Sequence, residues 1–159
     1  MTAVEVRPMH WWDIPAVHVI ETAIFATDPW SIEQFWSELA QPTRHYFVAE
    51  IDGAIVGYAG SFVLSPEADV QTVGVAADQR GRGIGAVLLT TLIEQAIQAQ
   101  AAQLILEVRS DNAAAIAMYQ RFGFERISSR PNYYAPGIDA MIMRLRPLAI
   151  NSTDGGGQQ

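Results

Sequence analysis

Three glycines in five residues, Gly81, Gly83 and Gly85, constrain this chain more than any other stretch. Each lacks a Cβ, so the backbone there can adopt positive φ and approach a ligand closely. The run Arg80-Gly81-Arg82-Gly83-Ile84-Gly85-Ala86 follows a β-rich segment, Val70 to Ala76. A helical pattern begins at once: Gly85, Leu88, Leu89, Leu92, Ile93 and Ala96 recur at the spacing of one buried helix face. The order is therefore strand, glycine loop, helix N-terminus. Such a loop aims free N–H groups and the positive end of a helix dipole at one spot, a site for a phosphate, and Arg80 and Arg82 add charge. The dinucleotide fingerprint G-x-G-x-x-G is not met, because the glycines alternate, and no Gly-Lys-Ser/Thr follows to make a Walker A loop. A glycine turn that only caps a helix stays open as the alternative.

A chain of 159 residues is most simply one domain with a sizeable core. Half the residues are hydrophobic, as in a soluble globular protein. No apolar run approaches the roughly 20 residues of a membrane span. Met1 to Trp12 lacks a basic start followed by an apolar block, so no secretory signal is expected. The absence of cysteine excludes disulfides, thiolate metal sites and a cysteine nucleophile, and suits the cytoplasm. His10, His18 and His45 show no metal-ligand spacing, so no metal is expected, and there is no Gly-x-Ser-x-Gly elbow. A net charge of −7 argues against nucleic acid and suits a cationic partner such as a basic peptide.

Local signals give the element order. Val4 to Arg7 reads as a strand. Asp13 is placed to cap a helix with Pro15 in its first turn, running to about Phe25. Ser31 and Gln34 form a capping box for a helix over Ile32 to Leu39. Strands at Tyr46 to Ile51 and Ile55 to Val63 meet at Asp52-Gly53, a strong hairpin signal. A strand at Ala68 to Ala76, a helix from Gly83 to Ala99, a strand at Gln103 to Arg109 and a helix from Asn112 to Phe122 ending at Gly123 follow. Phe124 to Ser128 and Ala140 to Leu145 close the series as strands. The fold class is α/β (α+β): one domain with a mixed, mostly antiparallel central sheet and helices on both faces. Residues 1–147 form the domain, and 148–159 read as a disordered polar tail. Trp11, Trp12 and Trp36 are expected to be core or packing residues.

The segment from Leu106 to Phe124 carries a second signal. Strand alternation puts Leu106 and Val108 on one face and Glu107 with Arg109 on the other. A carboxylate in an apolar strand is paired, solvated or functional. Tyr119 shares a helix face with Ala115, Met118 and Phe122 and should look toward the sheet. A carboxylate can act as a general base and a phenol as a general acid. Glu107 and Tyr119 suit these roles. An ion pair of Glu107 with Arg109, and a core role for Tyr119, remain alternatives.

The loop Arg80-x-x-Gly83-x-Gly85 resembles the pyrophosphate loop of the GCN5-related N-acetyltransferases, which bind acetyl-coenzyme A. Further stretches narrow the likeness: Leu106-Glu107-Val108-Arg109, Asn112 to Tyr119, Phe122-Gly123-Phe124, Pro29-Trp30-Ser31, Asn132-Tyr133-Tyr134 and Asp139-Ala140. Over about Val4 to Arg146 they are similar to the RimI-type ribosomal-protein alanine N-acetyltransferases. The resemblance implies Glu107 as general base and Tyr119 as general acid. It implies Val73, Gly74 and Val75 as the strand that pairs with the pantetheine arm of acetyl-CoA, Gly81 to Ala86 as the pyrophosphate loop, and Asn112 as a coenzyme A contact. It implies a peptide entering between the Trp30 segment and a Tyr133-Tyr134 loop, with the N-terminal alanine of a small-subunit ribosomal protein as substrate. A hydrophobic staple beside Ser31 is the other use for Trp30. Pro131 after Arg130 and a short loop at Ala135-Pro136-Gly137-Ile138 depart from the pattern, both where the peptide would sit.

Two other functions fit the same residues: acetylation of a small amine such as a polyamine or antibiotic, and acetyl-CoA binding without catalysis. The sequence leaves the oligomeric state open.

Overall fold

The computed structural model describes residues 3–148. The tail expected from 148 onward thus lies, from residue 149, outside the described residues. β1 (Glu5–Pro8) leads through a short 3₁₀ turn at Trp11–Asp13 into α1 (Ile14–Ile24) and then α2 (Ile32–Leu39). The capping box starts α2 as expected: the Gln34 N–H donates to Ser31 Oγ at 3.1 Å and the Ser31 N–H to Gln34 Oε1 at 2.7 Å. β2 (Arg44–Ile51) and β3 (Ala54–Leu64) form the hairpin, with positive φ at both Asp52 and Gly53, as a tight two-residue turn demands. β4 (Glu67–Val75), α3 (Ile84–Gln98), β5 (Leu104–Arg109), α4 (Ala113–Arg121), β6 (Glu125–Ala135) and β7 (Ile138–Leu145) complete the order.

The seven strands form one sheet in the order β1-β2-β3-β4-β5-β7-β6. Every neighbouring pair is antiparallel except β4 with β5. That parallel pair meets at a single register position, Asp69 opposite Ile105. Beyond it the two strands have no ladder between them. The backbone of β4 past Asp69 is paired with β3 on one side only, so its other edge is free.

Two clusters of buried side chains sandwich the sheet. Ile14, Val17 and Ile20 of α1 and Phe35 of α2 pack with Tyr46, Val48 and Tyr58. Leu88, Leu89 and Leu92 of α3 pack with Tyr119, Phe124 and Met143. The helical face read from the glycine loop onward is the face buried here, with Ile93 at its margin.

Two expectations need correction and one is narrowed. Asp13 precedes α1 without capping it: its carboxylate accepts the His10 N–H at 2.7 Å and two bonds from Arg7 at 2.7 and 2.9 Å. Trp11, Trp12 and Trp36 are not in the core. They are 57%, 57% and 47% exposed, and Trp11 stacks on Trp36 at 5.7 Å. The apolar interior beneath them is already filled by Phe35 and the aliphatic face of α1. Finally, β6 runs seven residues past Ser128, so Tyr133 and Tyr134 lie on a strand rather than in a loop. Pro131 does not stop it, because the ladder with β7 is irregular between Arg130 and Ala135.

Candidate active site

The gap between β4 and β5 opens into three adjoining cavities. The gap opens past Asp69 and Ile105, toward the carboxyl ends of these two parallel strands.

The first cavity, about 460 Å³, is lined by Val73, Gly74 and Val75 of β4, by Arg80, Gly81, Gly83, Ile84, Gly85 and Ala86, and by α4 from Asn112 to Arg121. Gly83 is the N-cap of α3 and has φ +78°, and Gly81 has φ +82°. A Cβ on either would meet nothing within 4 Å, so their role is conformational, and the space before them is open. The first backbone bond of α3 runs from the Val87 N–H to the Gly83 carbonyl. The N–H groups of Ile84, Gly85 and Ala86 therefore have no acceptor within the helix and face an anion site at its positive end. Arg80 lines this cavity and Arg82 does not; Arg121, unnoticed in the sequence, does.

The middle cavity, about 220 Å³, shares Val73, Asn112, Ala115 and Tyr119 with the first. It also holds Glu107, Gln71, Asp28 and Tyr134. Glu107 and Tyr119, far apart in sequence, thus border one space. Tyr119 is 8% exposed, and burial pushes its hydroxyl up to about 12. Its ring packs at 5.6 Å from Phe124, so it serves the core as well. Asn112 caps α4 by accepting the Ala115 N–H at 3.2 Å, which leaves its amide hydrogens for another partner.

The third cavity, about 610 Å³, joins the middle one through Asp28, Gln71 and Glu107 and is walled by Trp30, Tyr133 and Tyr134. Glu107 pairs with Arg130, not with the adjacent Arg109: Arg130 Nη1 stands 3.9 Å from Glu107 Oε2, while Arg109 holds Asp111. Trp30 takes the staple role weighed for it and also lines this cavity. It is the residue before the N-cap of α2 and packs on Phe35 at 5.3 Å. Tyr133 and Tyr134 meet edge to face at 5.1 Å, with Arg130 over one ring and Arg109 over the other. Asn132 and Asp139 fix this end of the β6–β7 hairpin: the Asn132 N–H donates to Asp139 Oδ1 and the Gly137 N–H to Asn132 Oδ1.

Asp69, also in the third cavity, was not singled out in the sequence. Burial raises its pKa first, and the like charges of Glu67 and Glu107 raise it further. Gln71 was missed too. It is the extra residue where the β3–β4 register shifts, and its Oε1 accepts the Tyr46 hydroxyl at 2.9 Å. Alternation alone cannot place a bulge.

Residues 9–124 match the model of the Acetyltransferase (GNAT) family. The chain is 42% identical over 131 residues to the N-alpha-acetyltransferase RimI of Mycobacterium tuberculosis (strain ATCC 25618 / H37Rv), covering 79% of this chain and 81% of that protein. It is 35% identical over 141 residues to the [ribosomal protein bS18]-alanine N-acetyltransferase of Escherichia coli (strain K12), covering 87% and 93%. The crystal structure of the ribosomal-protein-S18-alanine N-acetyltransferase from Escherichia coli superposes with a TM-score of 0.83 at 31% identity, covering 99% of this chain and 98% of that one.

Proposed function

The chain belongs to the acetyltransferase (GNAT) family and is an acetyl-CoA-dependent enzyme; within that family, we propose that it acetylates the α-amino group of an N-terminal alanine on a small-subunit ribosomal protein. The observation that carries this reading is the chain of three cavities, with Glu107 and Tyr119 in the middle one.

The first cavity fits the donor. The N–H groups at the start of α3, with Arg80 and Arg121, suit a pyrophosphate. The free edge of Val73, Gly74 and Val75 suits the amides of a pantetheine arm, and the Asn112 amide suits a further polar contact. Acetyl-CoA, when bound, supplies the acetyl group as a thioester.

Glu107 takes the amine proton, directly or through a water. An N-terminal amine with pKa near 7.7–8.0 asks only for a modest base. Tyr119 keeps its proton at neutral pH and donates it to the departing thiolate sulfur. Without cysteine, no thiolate of the enzyme competes as nucleophile, which favours direct attack in a ternary complex.

The third cavity suits a peptide. Trp30, Tyr133 and Tyr134 offer flat apolar walls, and Asp28, Asp69 and Glu107 outnumber Arg130. The ribosomal substrates named for the relatives above support the alanine assignment. Residues 1–147 are the working domain, and the cytoplasm is the compartment where such a substrate is made. The test is thiol release from acetyl-CoA with mass spectrometry over alanine-first basic peptides, other peptides and small amines. Modification of the α-amine of the alanine-first peptide supports the reading. Turnover of small amines alone moves the substrate to a polyamine or antibiotic, and binding without turnover makes the chain a carrier.

A further inference from the structure

Two carboxylates are buried among the described residues, Asp13 and Glu21, each 4% exposed. Arg7 neutralises Asp13. Glu21 forms no ion pair among the described residues; its oxygens are satisfied by uncharged donors instead. Oε1 accepts the hydroxyl of Tyr58 on β3, and Oε2 accepts the backbone N–H of Trp30 at 2.9 Å. A carboxylate is costly to bury unless its lone pairs are used. Leucine would fill the same place in a helix that needs only packing.

The position of Glu21 explains its use. α1 and α2 are joined by residues 25–31, which cross all three cavities. Ile24 and Phe25 border the first, Phe25 and Asp28 the middle, Asp28 and Trp30 the third. Both ends of this connection hang on Glu21. The Phe25 N–H donates to its main-chain oxygen at 2.8 Å, and the Trp30 N–H to its side chain. Tyr58 in turn reaches β4: a Cβ on Gly74 would stand 2.6 Å from the Tyr58 ring. A continuous brace runs from the Trp30 wall through Glu21 and Tyr58 to the strand beside the first cavity.

We propose that Glu21 is a positioning residue whose carboxylate holds the 25–31 connection in place as a wall of the acceptor cavity, and so sets how tightly the amine substrate is held. This rests on the assignment of the third cavity to the acceptor. A carboxamide keeps an acceptor for the Trp30 N–H while its NH2 donates to a Tyr58 hydroxyl turned to accept, so Glu21→Gln preserves both contacts; Glu21→Met removes both acceptors at similar volume.

The experiment measures Glu21→Met in the full chain: KM for the amine, kcat, acetyl-CoA affinity and hydrogen exchange of the Trp30 amide. The expected result is a KM raised roughly tenfold, the factor for one lost bond to a charged acceptor, with faster Trp30 exchange. The kcat and acetyl-CoA affinity stay within about twofold, because Glu107, Tyr119 and the glycine loop are untouched. Unchanged KM and unchanged Trp30 exchange overturn the proposal. So does an apparent kcat that falls with the folded fraction at unchanged KM and unchanged cofactor affinity, which is what a purely structural residue gives. If Glu21→Met does not fold, the unmutated chain decides: a Trp30 amide exchanging as fast as in a free peptide overturns the brace, and a protected one supports it. If the unmutated chain acetylates only small amines, the peptide reading falls, and the KM of that amine carries the Glu21 test.

Discussion

A Cβ on Gly85 would stand 3.3 Å from the sulfur of Met118, so the third glycine of the loop sets how closely α3 approaches α4. Both residues border the first cavity. The thioether of Met118 is flexible and yields to a small intrusion. Gly85→Ala should leave acetyl-CoA affinity within about threefold. Gly85→Val adds a stiff, branched side chain and should weaken it about tenfold or more, with overpacking of roughly 1–3 kcal/mol. Calorimetric titration and thermal melts on the two variants check this. Equal affinities would mean that the helices part freely.

Glu107 and Tyr119 border the same space from different elements. Glu107→Gln keeps the shape and removes the base; Tyr119→Phe keeps the ring and removes the acid. Each should lower kcat by roughly 10²-fold, the lower range for a single proton-transfer group, with acetyl-CoA affinity retained. Single-turnover kinetics beside equilibrium binding separates the two effects. Wild-type rates in both variants would remove the assignment.

Burial pushes the Tyr119 hydroxyl up to about 12. The acid form is the active one in the proposed role, so raising the pH toward 10 should not remove it. The kcat profile should lack a descending limb below about pH 10 that Tyr119→Phe abolishes. Tyr119→Phe should instead lower kcat by a constant factor from pH 6 to 9. A limb near pH 9 that vanishes in the variant would contradict the buried, protonated state.

Asp13 is held below its ordinary range, chiefly by the Arg7 side chain and next, after the opposing effect of burial, by the His10 N–H. A lowered folded pKa stabilises the fold above the unfolded value near 3.8, and that stability is lost as pH falls through the lower folded value. Asp13→Asn should therefore lower stability at pH 7, by about 2 kcal/mol for lost charge-assisted bonds. The gap from the parent should shrink once the pH drops well below 3.8. Urea melts at pH 7 and at acid pH measure it. A gap that is constant with pH would assign the loss to packing.

The elements that locate the donor cavity were legible because each rests on local chemistry. The Ser31–Gln34 box, the Asp52-Gly53 turn and the Gly81–Gly83–Gly85 loop need only their own residues to specify their shape. The proposed catalytic pair stands out in the sequence as a misfit, a carboxylate in an apolar strand and an inward tyrosine. What stayed hidden depends on tertiary register. Arg121 reaches the first cavity only because α4 packs beside the loop, and Arg130 meets Glu107 only because β7 sets β6 at that distance. Gln71 enters the site through a bulge. The extent of β6 was obscured by Pro131, which an irregular ladder tolerates. Trp11, Trp12 and Trp36 pack on one another at the surface instead of in the core, because hydrophobicity does not say which of several apolar side chains fills a core of fixed volume.

The acceptor cavity carries Asp28, Asp69 and Glu107 against Arg130, so a cationic side chain next to the substrate N-terminus should be favoured electrostatically. Partly exposed pairs of this kind are worth roughly 0.2–1 kcal/mol each and are screened by salt. KM for an alanine-arginine peptide should rise with ionic strength, while KM for an alanine-glutamine peptide should hardly move. Asp69 sits on β4 opposite Ile105, where β4 and β5 meet, and is held above the ordinary carboxylate range by burial and by its acidic neighbours. As the pH falls it should lose its charge above the ordinary carboxylate range, weakening the preference for arginine. Asp69→Asn should reproduce that weakening at neutral pH, narrowing the arginine-to-glutamine ratio of kcat/KM by about two- to fivefold and flattening its salt dependence. Steady-state kinetics on the two peptides at low and high salt measures both effects. A ratio untouched by Asp69→Asn, or a salt response shared equally by the two peptides, would show that the cavity selects by shape and not by charge.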